Sequence, residues 1–312
     1  TFVVISGDSD FSPLVSKLRE NNKTVIGVGV KNSASDLLKF AMSDLNLSAR
    51  AYDRILKVAR TIADLDDQDT VFAKHVAEAM KAAQRPAIIV DCDPGHDDVF
   101  ALIVAQHYAK LLGITVVHGN APLSRTLPNA LIACDVFGIP APVFSGADRP
   151  LVAPPRNAPH IHGESGLGGP ELPPVRRTAE KTGAVEAIIE LVRQHEGEGV
   201  GLAPLGPLTN IALALRAAPD LGRRIAGISL MGGGTLHCNR APHAEFNIWA
   251  DPEAASVVFG YGGPLRMVGL NATHQVVITR DYVEKMQAIG TPHIDFAHGP
   301  LHRALMEYSG KL

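Results

Sequence analysis

The chain has 312 residues, a formal net charge of −3, 20% charged residues and 46% apolar residues. That balance suits a soluble globular protein of one large α/β domain or two smaller ones, and it offers no basic surface for nucleic acid. The apolar runs are too short to span a bilayer, no secretory leader is evident, and the three scattered cysteines, Cys92, Cys134 and Cys238, point to a reducing cytoplasm.

Thr1 lies within an apolar, β-branched run, so the start is expected to be a cut end. The run Thr1–Ile5 reads as a strand that ends at Ser6-Gly7-Asp8-Ser9-Asp10. Leu14, Val15 and Leu18 then mark a helix, and Thr24–Val30 reads as a second strand, giving a small β-α-β fragment. In Leu47–Leu65, Ile55, Val58, Ile62 and Leu65 share one helical face, and Val71–Ala83 reads as a second helix. This helical hairpin ends at a junction, Gln84-Arg85-Pro86.

From Ala87 onward strands alternate with helices. The expected strands are Ala87–Val90, Gly113–His118, Val200–Ala203, Ile225–Met231 and Leu265–Leu270. The expected helices are Val99–Leu112, Asn129–Phe137, Ala184–His195, Asn210–Ala217 and Ala254–Phe259. Such alternation predicts an α/β fold with an open, mostly parallel, Rossmann-like sheet and helices on both faces. Pro150–Pro174, rich in Pro, Gly and His, reads as a long loop of the kind that serves as a lid.

The densest chemistry is Asp91-Cys92-Asp93-Pro94-Gly95-His96-Asp97-Asp98, directly after an apolar strand. Ligands bind at strand ends of open parallel sheets, and the first turn of a helix favours Asp97 and Asp98. Carboxylates packed this closely repel one another unless a cation lies between them. Oxygen donors alone select Ca²⁺ or Mg²⁺ over Zn²⁺. Asn120 after a strand is equally a turn residue, and Asp251-Pro252-Glu253 reads as a helix start with no catalytic role. Gly232–Gly234 lies outside any GxGxxG or Walker pattern, and close backbone approach to a ligand is enough to explain it.

The acidic octapeptide resembles the DxDPGxDD signature of the inosine-uridine-preferring nucleoside hydrolases. Further segments resemble that family in order: Gly119-Asn120, His160-Ile161-His162-Gly163-Glu164-Ser165-Gly166, Leu205-Gly206-Pro207-Leu208-Thr209-Asn210, Met231-Gly232-Gly233-Gly234, Asn239 with Ala244-Glu245-Phe246-Asn247-Ile248, and Thr273-His274-Gln275. The resemblance implies a Ca²⁺-dependent cytoplasmic enzyme of nucleoside catabolism. Such an enzyme cuts the N-glycosidic bond of ribonucleosides to ribose and free base. It implies Asp93, Asp97, Asp98 and the Leu205 carbonyl as metal ligands and Asp93 as general base. It also implies Asp97, Asn120, Asn239, Glu245 and Asn247 on the ribose. His162, with His160, either reaches the nucleobase or decorates a surface. The implied partner is a ribonucleoside, with homo-oligomers common in the family and no membrane or nucleic-acid partner.

Family members carry a later His-Asp pair that completes the metal shell and protonates the leaving base. No His-Asp dipeptide follows Gln275 here, His293-Ile294-Asp295 does not match it, and Asn271 stands where an acid is common. Residues 85–312 are therefore expected to form a truncated hydrolase domain. The alternative is a catalytically impaired remnant that binds metal or ribose only. Residues 1–45, with Asp8 and Asp10, resemble the later part of an NYN (PIN-like) nuclease domain, which leaves an RNA-processing nuclease as a third reading. Residues 46–84 resemble the C-terminal lid of a magnesium-chelatase-like AAA+ protein.

Overall fold

The computed structural model describes residues 85–168, 172–276 and 279–288, five helical positions between 57 and 64, and the backbone of two N-terminal strands. The chain divides into two compact units, Thr1–Arg85 and Pro86–Leu312. In the first, β1 (Phe2–Ser6) pairs in parallel with β2 (Val25–Gly29), as a β-α-β fragment requires. Helical residues 57, 60, 61, 63 and 64 fall within the expected Leu47–Leu65 helix, with Arg60 paired to Asp64 one turn on. Asp8, Asp10 and the His293–Asp295 segment lie outside the described residues.

The second unit is built on six parallel strands in the order β5-β4-β3-β6-β7-β8. These are β3 (Ala87–Cys92), β4 (Lys110–Val116), β5 (Val143–Ser145), β6 (Gly201–Pro204), β7 (Gly227–Met231) and β8 (Leu265–Val268). Between them run α1 (His96–Tyr108), α2 (Leu123–Phe137), the single turn α3 (Pro159–His162), α4 (Ala184–Gln194), α5 (Thr209–Ala217) and α6 (Leu221–Arg224). The series ends with α7 (Phe246–Ala250), α8 (Pro252–Phe259), α9 (Leu270–Thr273) and α10 (Arg280–Gln287).

Strand periodicity explains the two-sided core. Ile89 packs with Ile188, Leu202, Leu208 and Ile211 on one face of the sheet. Its neighbour Val90 packs with Leu102, Ile114, Ile132 and Leu167 on the other. Consecutive side chains of a strand point to opposite faces, and a sheet covered by helices on both sides therefore needs apolar residues at both. Among the described residues no helix is long and apolar enough to cross a membrane.

The clearest departures from expectation are at α1, β4 and α2, the last starting at Leu123 rather than at the expected Asn129. The helix expected over Val99–Leu112 starts at His96 and ends at Tyr108, and Leu111 and Leu112 belong to β4 instead. An apolar run satisfies either period locally, and pairing of Lys110 and Leu111 with Ala87 and Ile88 of β3, followed by a register shift at Leu112, decides for the strand. The three-residue β5, preceded by Pro140 and Pro142, is too short to be picked out by periodicity and exists through its pairing with Ile114–Val116. Within the expected Pro150–Pro174 loop, α3 forms a turn of helix, and Ala158 N–H donates to the Asn120 carbonyl at 3.0 Å.

Strand order reverses at β3. The chain winds outward through β4 and β5, then returns to the other side of β3 with β6. That switch leaves a crevice at the carboxyl ends of β3 and β6, where ligands of open α/β sheets bind. The acidic octapeptide leaves β3 there, and Leu205 leaves β6.

Candidate active site

Pro94-Gly95 turns the chain sharply after β3, and Gly95 caps α1. Asp98, in the first turn of α1, returns its Oδ2 to the Gly95 N–H at 2.8 Å, which satisfies one orphan donor of the helix start. The other oxygen, Asp98 Oδ1, is buried and has no hydrogen-bond partner among the described residues.

Asp93 sits between three neighbours. Its Oδ2 accepts the backbone N–H of Asn120 at 2.6 Å, and its carbonyl accepts from Asn120 Nδ2 at 3.0 Å. The same Nδ2 lies 3.4 Å from Asp98 Oδ2, so one amide spans both acids. Gly119 and Gly206 close in on the carboxylate: a Cβ at these positions would fall 2.0 Å from Asp93 Oδ2 and 2.3 Å from Oδ1. Only glycine permits that approach.

Asp93 and Asp98 are 1% and 2% exposed. Burial, then repulsion from Asp98, holds the Asp93 carboxyl well above its usual range. Burial, then repulsion from Asp97, pushes Asp98 up to about 8. Asp91, fully buried behind them, is pushed by burial to about 7 although Thr115 and Asn210 both donate to its Oδ1. Desolvated, mutually repelling carboxylates are the groups that a hard cation neutralises.

A second cluster faces the crevice from β7 and α7. Glu245 caps α7: its Oε2 accepts from the N–H groups of Gly233 (3.0 Å), Asn247 (2.9 Å) and Ile248 (3.2 Å). Burial nevertheless raises its pKa. The Asn247 amide donates to the Leu205 carbonyl at 2.7 Å and to the Met231 carbonyl at 3.1 Å, tying α7 to the ends of β6 and β7.

The sequence-expected residues thus divide. Asp93, Asp98 and Asn120 form one buried group. Glu245, Asn247 and the Leu205 carbonyl form another. His162 is half-buried, close enough to Gly95 that a Cβ there would fall 2.7 Å from the His162 ring, and its ring centroid is 5.0 Å from that of His96. His160 is exposed. Asp97 and Asn239 are also exposed. Asn271 accepts the Thr235 N–H at 2.7 Å and so anchors the loop that carries Asn239.

Sequence reasoning missed three buried residues. Asp91, Asn210 and Thr209 sit within segments it had singled out, yet their side chains serve as internal hydrogen-bond partners. Asp251 does start α8, accepting from Ala254 N–H at 3.0 Å. Its Oδ2 also accepts from Thr209 Oγ1 at 2.6 Å and Leu151 N–H at 2.9 Å, joining α8, α5 and the start of the long loop.

A divalent metal is what the resemblance of the acidic turn implies. Among the described residues no three His, Cys, Asp or Glu side chains converge tightly enough to enclose an ion by themselves. The donor chemistry still fits: a partnerless buried oxygen on Asp98, the Asp93 carboxylate beside it, and a Leu205 carbonyl whose second lone pair is free of the Asn247 bond.

A family model described as inosine-uridine preferring nucleoside hydrolase matches residues 88–311. A second, described as magnesium chelatase, subunit ChlI C-terminal, matches residues 20–82. The pyrimidine-specific ribonucleoside hydrolase RihB of Escherichia coli is 46% identical over 211 residues, 67% of this chain and 67% of that protein. Among solved structures, a purine-preferring ribonucleoside hydrolase from Gardnerella vaginalis superimposes with a TM-score of 0.68 at 33% identity, over 72% of this chain and 73% of that one. The plant nucleoside hydrolase PpNRh1 gives a TM-score of 0.67 at 30% identity, over 72% of each chain.

Proposed function

This chain belongs to the inosine-uridine preferring nucleoside hydrolase family and is a ribonucleoside hydrolase, and from that premise we propose how its residues divide the reaction. The observation that carries the reading is the paired burial of Asp93 and Asp98 at the switch point of the sheet, with Asp98 Oδ1 lacking a partner. Asp93, Asp98 and the Leu205 carbonyl would hold Ca²⁺, with Asp97 at the mouth of the same turn. When bound, the ion neutralises the carboxylates and acidifies water held in the site.

Asp93 takes the proton of the attacking water. Glu245, Asn247 and Asn120 hydrogen-bond the ribose hydroxyls, which present both donors and acceptors to them. Asp97 and Asn239 reach the ribose from the exposed rim. As the N-glycosidic bond stretches, positive charge grows on the sugar, and the surrounding carboxylates stabilise it. His162, at the edge of the acidic turn, contacts the departing base.

The preferred base in this reading is a pyrimidine. Its support is the 46% identity to a relative named pyrimidine-specific, against 33% to a structure named purine-preferring. The free thiols of Cys92, Cys134 and Cys238 suit residence in the cytoplasm.

Ribose release from uridine, cytidine and inosine, with and without EDTA, tests the assignment. We expect release that EDTA abolishes and Ca²⁺ restores, with uridine preferred over inosine. Release that persists through EDTA and dialysis would overturn the metal role.

A further inference from the structure

Asn210 stands in the first turn of α5 and is fully buried. Its Nδ2 donates to Asp91 Oδ1 at 2.8 Å and to the Val116 carbonyl at 3.2 Å, and its Oδ1 accepts the Ala147 N–H at 2.8 Å. One amide therefore joins the ends of β3 and β4 and the chain just past β5 to the start of α5. Gly146 makes the room: a Cβ there would lie 2.4 Å from both polar atoms of that amide.

Asp91 completes the arrangement. Thr115 Oγ1 donates to its Oδ1 at 2.6 Å, and its carbonyl accepts the Leu205 N–H at 2.8 Å. Asp91 thus holds both ends of the Leu205–Asn210 turn, Leu205 through its backbone and Asn210 through its carboxylate. Inside that turn Gly206 presses on Asp93, with its α-carbon facing Oδ1 closely enough to exclude a methyl group.

The attachment of α5 to the sheet does not depend on these polar bonds. Leu208, Ile211, Ala212 and Leu215 already bury an apolar face against Ile89 and Leu202. A buried polar network is costly to desolvate, and what it adds over apolar packing is a single geometry.

Taking the acidic pocket as the reacting site, as proposed above, we infer that Asn210 is a positioning residue. Through Asp91 it sets the Leu205 carbonyl and the Gly206 backbone against Asp93. A shift of this turn moves a donor atom and the wall of the Asp93 carboxylate together.

Asn210→Asp tests this at constant size. It keeps an acceptor for Ala147 but turns an acceptor toward Asp91. Calorimetric titration of the metal-free variant with Ca²⁺ alone should show affinity weakened by about 10–100-fold, the usual cost of losing an outer-sphere partner. In steady-state assays kcat should fall by a similar factor with KM changed less. The double variant Asp91→Asn/Asn210→Asp restores one donor and one acceptor at the contact and should recover most of the Ca²⁺ affinity.

Asn210→Asp that melts lower yet binds Ca²⁺ and turns over like the unaltered chain overturns the inference, as does a double variant no better than the single. Should Asn210→Asp not fold, Thr115→Val, which removes the other donor to Asp91 Oδ1, replaces it, and unchanged Ca²⁺ affinity there is equally adverse. Asp93→Ala separates the two levels. If it retains Ca²⁺ binding and ribose release, the pocket itself is misassigned. If it loses both while Asn210→Asp keeps both, only the positioning role falls.

Discussion

Asn120 binds Asp93 twice, its backbone N–H to Oδ2 at 2.6 Å and its side-chain amide to the Asp93 carbonyl at 3.0 Å. The end of β4 thereby orients the carboxylate that leaves β3, and the side chain remains close to Asp98. Removal of Asp93 tests the centre of the site directly. Asp93→Asn keeps the size and the Asn120 contact but removes the base, and kcat should fall by about 10²–10⁴-fold. Initial rates of ribose release at saturating uridine measure it.

Gly206 tests the fit around the same group without touching its chemistry. A methyl group at this position would sit 2.3 Å from Asp93 Oδ1, so Gly206→Ala must displace the carboxylate or the turn. A displacement near 1 Å costs on the order of 10² in rate. We expect that loss with a far-ultraviolet dichroism spectrum matching the unaltered chain. A fully active Gly206→Ala would show that Asp93 has room to spare.

Glu245 anchors three backbone N–H groups through one oxygen. Glu245→Gln weakens this cap by about 1 kcal/mol and removes a charge-assisted bond to ribose worth about 1.5–3 kcal/mol. KM for uridine should rise by about tenfold or more, with a modest drop in melting temperature. Michaelis curves and thermal melts separate the two effects.

Trp249, the one tryptophan in the sequence, reports on α7. The Arg156 guanidinium carbon lies 4.0 Å from its ring centroid, and Nη1 donates to the Trp249 carbonyl. Arg156→Ala should cost about 1–2 kcal/mol and shift the emission spectrum. Because Asn247 shares that helix, KM should rise as well. Emission identical to the unaltered chain would show that the stack contributes nothing in solution.

His118 supplies the pH dependence. Thr209 Oγ1 gives its only hydrogen to Asp251, so the 3.1 Å contact with His118 requires Nε2–H to donate, leaving Nδ1 bare and partnerless among the described residues. Burial lowers the His118 pKa below 6.5, against opposing pulls from Asp251 and Asp148. A base depressed by folding binds protons better when unfolded, so its contribution to stability is present above the unfolded pKa and is lost as pH falls below it. The raised carboxyls of Asp91, Asp93 and Asp98 gain stability over the same range as pH falls, so the readout is the difference between chains: from pH 7 to pH 5 the melting temperature of His118→Gln should rise relative to that of the unaltered chain. Parallel curves for both chains would dismiss the assignment.

Much of the site was legible because its residues are local. Asp91 to Asp98 follow one strand and one turn, so strand periodicity, a Pro-Gly turn and a helix start place them together before any packing is known. Glu245 and Asn247 were legible by motif alone, and the cap that buries Glu245 emerges only when Gly233, twelve residues earlier, comes beside it. Leu111 and Leu112 misled in the opposite direction, since two apolar residues after a helix suit either element and only strand pairing chooses.

By itself the sequence determined the alternating α/β order, the apolar content of both sheet faces and the acidic turn, because these depend on neighbours a few residues apart. Tertiary structure alone decided which acids are desolvated. Asp93 and Asp98 became buried while Asp97, between them in sequence, stayed exposed. It also decided that Asn210 would meet Asp91 across 119 residues of chain. The charge state and hydrogen bonds of a buried group depend on everything packed around it, and those neighbours come from strands that only folding brings together.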